Sequence, residues 1–112
     1  MDQRVRSVIA FIENNLHRKI TPIEVAESVR LSPSRLRHLF KDETGTSLAR
    51  YLRELRLKRA KHLLETTFLS VKEVASTVGL HGVSHFVRDF EKAHRMSPGR
   101  YAERHRKAMH RP

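Results

Sequence analysis

The sequence predicts an all-α protein made of two helix-turn-helix units that are joined by a long central helix. Apolar residues recur at spacings of three and four along nearly the whole chain, which is typical of amphipathic helices. Helix-start signals occur in closely spaced pairs, and the second half of the chain repeats the first. We expect a first helix-turn-helix subdomain at residues 1–46, a linking helix at 47–67 and a second helix-turn-helix subdomain at 68–112.

Basic residues strongly outnumber acidic ones. The 112 residues include 23 Lys and Arg against 12 Asp and Glu, which gives a net charge of +11 and a pI near 11.1. Residues 1–56 hold 11 basic and 7 acidic side chains, and residues 57–112 hold 12 and 5, so the charge is not confined to a tail. Such a balance predicts a polyanionic partner, although a soluble protein that merely happens to be basic is the alternative.

Composition excludes several other classes of protein. The chain has no cysteine, which removes disulfides, thiol catalysis and cysteine-ligated zinc. No apolar run approaches the ~20 residues of a membrane span. The start "MDQRVRSVIAFIENN" is amphipathic and contains acids, so it does not resemble a signal peptide. We expect no membrane partner and a cytoplasmic, nucleoid-associated location.

A first helix is predicted from its apolar stripe. The stripe is formed by Val5, Val8, Ile9, Ile12 and Leu16.

In "TPIE", Thr21 is the expected N-cap, Pro22 the first helical residue and Glu24 the partner in a capping box. The residues expected to face inward from this second helix are Ile23, Ala26 and Val29. Ser32 and Pro33 begin another helix eleven residues later, which is helix-turn-helix spacing.

The next helix contains "LSPSRLRHLF" and should end near Gly45. Leu36, Leu39 and Phe40 form its apolar side. The segment "SLARYLRELRLKRAKHLLETT" then runs without Gly or Pro and predicts a linking helix about 27 Å long. Its expected apolar residues are Leu48, Tyr51, Leu52, Leu55, Ala60, Leu63 and Leu64.

An internal repeat follows the linking helix. "SVKEVASTVGL" matches "TPIEVAESVRL" at an offset of 49, and Ser70 and Glu73 rebuild the capping box. The offset then becomes 50, which indicates one extra residue in the second turn. Positions that coincide in this second register are Ser34/Ser84, Phe40/Phe90, Ser47/Ser97, Arg50/Arg100 and Tyr51/Tyr101. One structural unit is therefore predicted to occur twice, and "MSPGRYAERHRK" adds a last helix capped by Ser97.

A helix-turn-helix places its second helix in the major groove of DNA. A linking helix of about 27 Å suits two such helices spaced by roughly one duplex turn of ~34 Å. We therefore expect one chain to read two consecutive major grooves of double-stranded DNA. Because the two reading helices differ in sequence, the site should be asymmetric.

The exposed turns of the reading helices supply the candidate contacts. The first helix offers Ser34, Arg35, Arg37, His38 and Lys41, and the second offers Val83, Ser84, His85, Val87 and Arg88. Arg37 and Arg88 are expected to read guanine, and Val87 to pack on a thymine methyl. His38 is expected on a base or a phosphate, and Phe86 and Phe90 in the core. The residues expected on phosphates are Arg53, Arg56, Arg59, Arg100 and Arg104, joined by Arg35, Lys41 and His85.

No catalytic or metal site is predicted. His81 and His85 are four residues apart, but Gly82 lies between them at a turn and no third ligand is near. Asp89 and Glu91 have no carboxylate partner, and the serines look like helix caps. We therefore expect no cofactor and no enzyme activity.

The chain resembles the DNA-binding domain of the AraC/XylS family of bacterial transcription regulators. The resemblance lies in "EVAESVRLSPSRLRHLFKDETGTSLARYLRELRLKRAKHLL" and "VKEVASTVGLHGVSHFVRDFEKAHRMSPGRY". It implies seven helices in two homeodomain-like units, and activation of transcription through contact with RNA polymerase. It also implies base-facing positions at Ser34, Arg37 and His38 in the first reading helix and at Ser84, Val87 and Arg88 in the second.

Three residues depart from the family pattern. Leu80 replaces a usual Phe, Arg95 replaces a usual Gly, and Ala102 replaces a usual Arg. Most family members also carry an effector-binding or dimerising domain, for which this chain has no room, so we expect either a stand-alone member or an excised domain.

A non-specific or architectural nucleic-acid-binding protein is the main alternative to a sequence-specific regulator. RNA is the less favoured ligand because the exposed aromatic platform that binds single strands is missing.

Overall fold

The computed structural model describes residues 1–109, which form seven helices and no strand. The helices are α1 (Gln3–Asn14), α2 (Pro22–Ser28), α3 (Pro33–Thr44), α4 (Leu48–Thr66), α5 (Val71–Thr77), α6 (Val83–His94) and α7 (Pro98–Met109). The predicted all-α class is confirmed. Within the described part of the chain, no helix is both long enough and apolar enough to cross a membrane.

The chain folds as two compact units that divide within α4. The first unit is Met1–Glu54, and the second begins at Leu55. The sequence-based division instead set residues 47–67 apart as a linking helix and ended its second unit at residue 112. The last three of those residues lie outside the described part.

Local side-chain caps start the helices where the sequence predicts them. Thr21 and Ser70 each form a complete capping box, with Glu24 and Glu73 respectively. The Ser32 hydroxyl accepts a hydrogen bond from a backbone N–H at the start of α3, and Ser97 does the same at the start of α7. These bonds satisfy backbone groups that a helix N-terminus leaves unpaired.

The core of the first unit packs α1 against α2 and α3. Its fully buried side chains are Val5, Val8, Ile12, Leu16, Val25, Ala26, Leu36 and Phe40. The prediction that Ile23 faces inward is wrong, because its side chain is 61% exposed. Val25 and Ala26 fill the core from α2 instead, and Val29 is half-buried.

The core of the second unit is built from the C-terminal half of α4 together with α5, α6 and α7. Its buried side chains are Leu57, Ala60, Leu64, Val74, Ala75, Val78, Phe86, Phe90 and Ala102. Leu63, Leu69, Val71, Leu80 and Tyr101 pack against it. Leu80 therefore packs on the core at the position where the family usually has Phe.

The same aromatic pair occurs in both units. Phe40 meets Tyr51 edge-on with ring centroids 5.3 Å apart, and Phe90 meets Tyr101 edge-on at 5.5 Å. Edge-to-face contacts at this distance are favourable for aromatic rings. The repeat read from the sequence is thus a repeat of packing as well as of residues.

Each unit has two left-handed backbone positions, one in the turn between its paired helices and one after the second helix of the pair, α3 or α6. In the first unit these are Arg30 (φ 57°) and Gly45 (φ 78°), and in the second they are Gly79 (φ 78°) and Arg95 (φ 57°). Each unit therefore places one arginine where its counterpart has glycine. The second turn is one residue longer, at 78–82 against 29–32, as the change of offset predicts.

Candidate nucleic-acid-binding surfaces

Helix α3 turns a polar face to solvent in the first unit. Leu36 and Phe40 are buried beneath it. The candidates for DNA contact on this helix are all exposed: Ser34, Arg35, Arg37, His38 and Lys41. The buried pair fixes the rotation of α3 about its axis, so the candidates share the outward side as predicted. Which DNA groups they meet stays a prediction.

The imidazole of His38 is held by the backbone of its own helix. Its Nδ1 lies 2.8 Å from the carbonyl oxygen of Ser34. Because a carbonyl oxygen only accepts, Nδ1 carries the hydrogen of this bond, and Nε2 remains the open ring nitrogen. In the neutral ring Nε2 is an acceptor, on a surface that otherwise offers mainly donors.

Arg37 lies one position earlier on the same surface. Within the described residues, its guanidinium forms no hydrogen bond and no ion pair, so its donors are open to an external acceptor. The backbone N–H of Arg35 donates to the Ser32 cap at 3.2 Å, but its guanidinium likewise has no hydrogen bond or ion pair to any described residue. Both arginines of α3 are exposed, so each has guanidinium donors available for a bidentate contact with a base or an anion.

Helix α6 presents the corresponding face in the second unit. Ser84, His85 and Arg88 are exposed, while Val87 is half-buried. Phe86 and Phe90 are buried beneath them, as predicted. The sequence placed Val87 on an exposed turn, and in the structure its side chain is half-buried.

The start of α6 differs from the start of α3. Its N-cap is Gly82, which provides no side-chain hydrogen bond to the first turn. A Cβ at this position would lie 3.0 Å from Cδ2 of His85, so a larger residue would push the His85 ring away.

The described residues contain no group of three or more His, Cys, Asp or Glu side chains that could hold a metal ion.

The expected phosphate contacts differ in exposure. Arg53, Arg59, Arg100 and Arg104 are exposed, whereas Arg56 is half-buried. Burial lowers the pKa of the Arg56 guanidinium below its usual value. The four exposed arginines therefore lose less hydration on folding than Arg56, and they remain the simpler candidates for phosphate.

An ion pair joins the segment that precedes α2 to the first turn of that helix. Nη2 of Arg18 lies 2.7 Å from Oε1 of Glu24, whose other oxygen accepts the backbone N–H of Thr21 at 2.9 Å. The Arg18 hydrogen bond, followed by that backbone hydrogen bond, lowers the pKa of Glu24 to about 2. Glu73 in the second unit has the equivalent capping box, and its pKa is lowered by bonds from Ser70.

Two contacts that the sequence did not predict fasten α7 within the second unit. The Tyr101 hydroxyl donates to Oε1 of Glu65 at 2.5 Å, and burial with this bond raises the pKa of Tyr101 to about 12. Arg106 donates to the carbonyl oxygens of Thr67 and Leu69. The partners lie 36 to 39 residues apart in sequence, so no local pattern reveals them.

Comparison with protein families and curated proteins gives consistent matches. A family model described as a helix-turn-helix domain matches residues 25–104. The arabinose operon regulatory protein of Escherichia coli (strain K12) is 37% identical over 102 residues, which are 90% of this chain and 35% of that protein. The HTH-type transcriptional regulator GadX of the same strain is 35% identical over 97 residues, which are 87% and 35% of the two chains. The chain thus spans about a third of these relatives.

Solved structures match the fold over nearly the full chain. The DNA-binding domain of AdpA, a global transcriptional factor solved in complex with a target DNA, has a TM-score of 0.88 at 25% identity and covers 96% of each chain. The C-terminal domain of AraT, a response regulator from Geobacillus stearothermophilus, has a TM-score of 0.85 at 31% identity, with 91% of this chain and 85% of that chain covered.

Proposed function

We propose, from the premise that this chain belongs to the AraC family of helix-turn-helix DNA-binding transcription regulators, that it reads two consecutive major grooves of one asymmetric DNA site. The family consists of DNA-binding regulators and not of enzymes, and double-stranded DNA is the partner of its helix-turn-helix domain. The finer steps of the proposal concern which residues read bases and how the two units share the site.

The observation that carries the proposal is the structural similarity between α3 and α6. Each follows a short capped helix, each buries a phenylalanine, Phe40 or Phe90, and each turns an exposed polar face outward. This is the arrangement in which the second helix of a helix-turn-helix enters the major groove. An exposed face backed by buried rings is a rigid one, which favours reading of base edges.

On α3, Arg37 and His38 are the proposed base readers, with Ser34 beside them. The open guanidinium of Arg37 suits O6 and N7 of guanine, a contact worth about 1–3 kcal/mol of discrimination. The open Nε2 of His38, with Nδ1 held by Ser34, suits the amino group of cytosine or adenine.

On α6, Arg88 is the proposed guanine reader and Ser84 lies one turn before it. The accessible part of Val87 suits a thymine methyl group. The outward residues of α6 differ in kind from those of α3, since Val87 and Arg88 stand where the first unit has Arg37 and His38. Two different reading faces support an asymmetric site.

The remaining candidates are proposed to bind phosphates, which set the register of the protein on the duplex without reading its sequence. They are Arg35, Lys41, Arg53, Arg56, Arg59, His85, Arg100 and Arg104. The net charge of +11 supports a strong, salt-dependent contribution of this kind.

We extend the proposal to activation of transcription through contact with RNA polymerase, as the family resemblance implies, and to a cytoplasmic, nucleoid-associated location. The curated relatives are longer than this chain, which covers 35% of the arabinose operon regulatory protein. That difference supports a partnership with an effector-binding or dimerising domain in regulators of this type.

Competition binding at fixed salt tests sequence reading against the non-specific alternative, which the high positive charge also supports. A labelled duplex selected from a random pool is displaced by unlabelled selected or random duplexes. The proposal predicts that random duplexes compete at least 1000-fold more weakly, on the order of the usual ratio for specific binding. Equal competition would show that phosphate contacts alone hold the protein on DNA.

A further inference from the structure

The first unit contains an apolar groove of about 310 Å³ directly beside the proposed base reader Arg37. Its floor is formed by Ile12, Val25 and Leu36, which are buried. Nine of its twelve lining residues are apolar, and Arg37 is the one charged residue among the twelve. Its volume is at the lower end of the range for small-molecule sites, about 300–1,000 Å³.

The polar groups of the groove favour an anion. Thr21 and Ser47 line it, but their hydroxyls accept the backbone N–H groups of Glu24 and Arg50 as helix caps. Arg37 forms no hydrogen bond or ion pair to any described residue, so its donors are open. A ligand that fills the groove therefore meets an apolar wall and one available cation.

The internal repeat shows what distinguishes this groove. At the position of Leu36 the second unit has Phe86, whose larger ring is 1% exposed, and at the position of Arg37 it has Val87. The first unit thus combines a smaller side chain with a positive charge at two adjacent positions. Those two differences provide the space and the charge that an amphipathic anion requires.

We propose that this groove binds a small organic anion of the aromatic carboxylate class, with its ring on the apolar floor and its carboxylate on the Arg37 guanidinium. A rigid ring loses less conformational entropy on binding than a flexible chain of equal size, which favours the aromatic class. The consequence for DNA rests on the proposed function: an Arg37 side chain that is drawn to a carboxylate in the groove is no longer aligned for a bidentate contact with guanine. Ligand and specific DNA therefore oppose each other's binding, and the opposition is reciprocal.

The binding test uses the full chain without DNA. Methyl NMR follows titration with 2-naphthoate and, in parallel, with the neutral 2-naphthalenemethanol. The proposal predicts saturable shifts at Ile12, Leu36 and Leu52 but not at Val74 in the second unit. It also predicts that Arg37→Gln lowers the affinity for 2-naphthoate about tenfold and leaves the affinity for the alcohol unchanged. Shifts that do not saturate, shifts that map elsewhere, or equal affinity for acid and alcohol would overturn it.

Two variants that fill the groove distinguish binding in the groove from non-specific binding elsewhere on the surface. Leu36→Phe copies the second unit, and Ala49→Leu fills the groove from an exposed position of α4 in case the first variant does not fold. Either variant, if folded, is expected to bind both ligands more than tenfold more weakly. Unchanged affinity in Ala49→Leu would contradict binding in this groove.

The coupling test repeats the DNA competition at saturating 2-naphthoate. A loss of about tenfold in affinity for the selected duplex, absent in Arg37→Gln, is expected. Groove binding without this loss would overturn the coupling. If no duplex is selected at all, the proposed function fails while the DNA-free titration still decides the site.

Discussion

The Nδ1 atom of His38 lies 2.8 Å from the carbonyl oxygen of Ser34, one turn earlier in α3. The bond holds the exposed ring against its own helix and leaves Nε2 free to face a partner. Base reading depends on such orientation, because a mobile side chain loses rotamer entropy when it binds. The contact therefore links a local backbone bond in α3 to a testable role in DNA recognition.

Replacing His38 by Phe keeps an aromatic ring and removes both nitrogens. We expect this variant to lose base preference at one position of the selected site and to bind that site about threefold to tenfold more weakly, as for the loss of one hydrogen bond. Competition among single-base variants of the site measures the effect. His62→Phe, at an exposed histidine of α4, is the control and should change neither quantity. Full base preference in His38→Phe would contradict the assignment.

The carboxylates of the two capping boxes predict different acid responses. The pKa of Glu24 is about 2, below the usual value of 4.5 for a glutamate, so its stabilising effect is present above pH 4.5 and is lost as the pH falls toward 2. Glu24→Gln should therefore lower stability to urea at pH 7 and have a smaller effect at pH 3. Glu73→Gln is the matched control, and its effect at pH 7 should be smaller because the Glu73 carboxylate forms no ion pair within residues 1–109, whereas Glu24 pairs with Arg18.

Urea unfolding of both variants at the two pH values provides the measurement. An effect of Glu24→Gln that is as large at pH 3 as at pH 7 would contradict this account of the ion pair.

The left-handed residue after α6 predicts a stabilising substitution. Arg95 has φ 57°, and its counterpart Gly45 has φ 78°. A non-glycine residue in this conformation costs about 1–2 kcal/mol, partly offset by the greater flexibility of glycine in the unfolded chain. Arg95→Gly should raise the free energy of unfolding by about 0.5–1 kcal/mol.

Arg95→Ala separates backbone strain from loss of the side chain, and it should give no gain. Gly45→Ala should destabilise, although its Cβ would meet no atom within 4 Å. Thermal unfolding of the three variants measures these effects, and equal stabilisation by Arg95→Gly and Arg95→Ala would show that the side chain, rather than φ, is responsible.

The features that the sequence predicts correctly are local ones. A capping box needs only Thr21 and Glu24, or Ser70 and Glu73, so its residues are visible within one short stretch. The repeat then predicts the second helix pair and its longer turn. The outward positions of Arg37, His38 and Arg88 follow from helical period, since the buried phenylalanines determine the opposite side.

The features that escaped prediction depend on tertiary packing. Helix α2 has only seven residues, which is about two turns. Its apolar residues could therefore face the core in more than one rotation of the helix about its axis. Packing against α1 selects Val25 and leaves Ile23 exposed. The hydrogen bond from Tyr101 to Glu65 likewise joins residues that are distant in sequence. The groove beside Arg37 is lined by residues from several helices, and its shape depends on their side-chain volumes.

Selection of duplexes from a random DNA pool tests the central claim most directly, because it asks whether two different helices read one site. The wild type, Arg37→Ala and Arg88→Ala should be compared, with Arg53→Ala as the phosphate control. We predict an asymmetric site with two dissimilar halves about one duplex turn apart. Arg37→Ala should remove preference at one position of one half and Arg88→Ala at one position of the other, whereas Arg53→Ala should weaken binding without changing the selected sequence. A palindromic site, no enriched sequence, or loss of the same position in both reader variants would contradict the account.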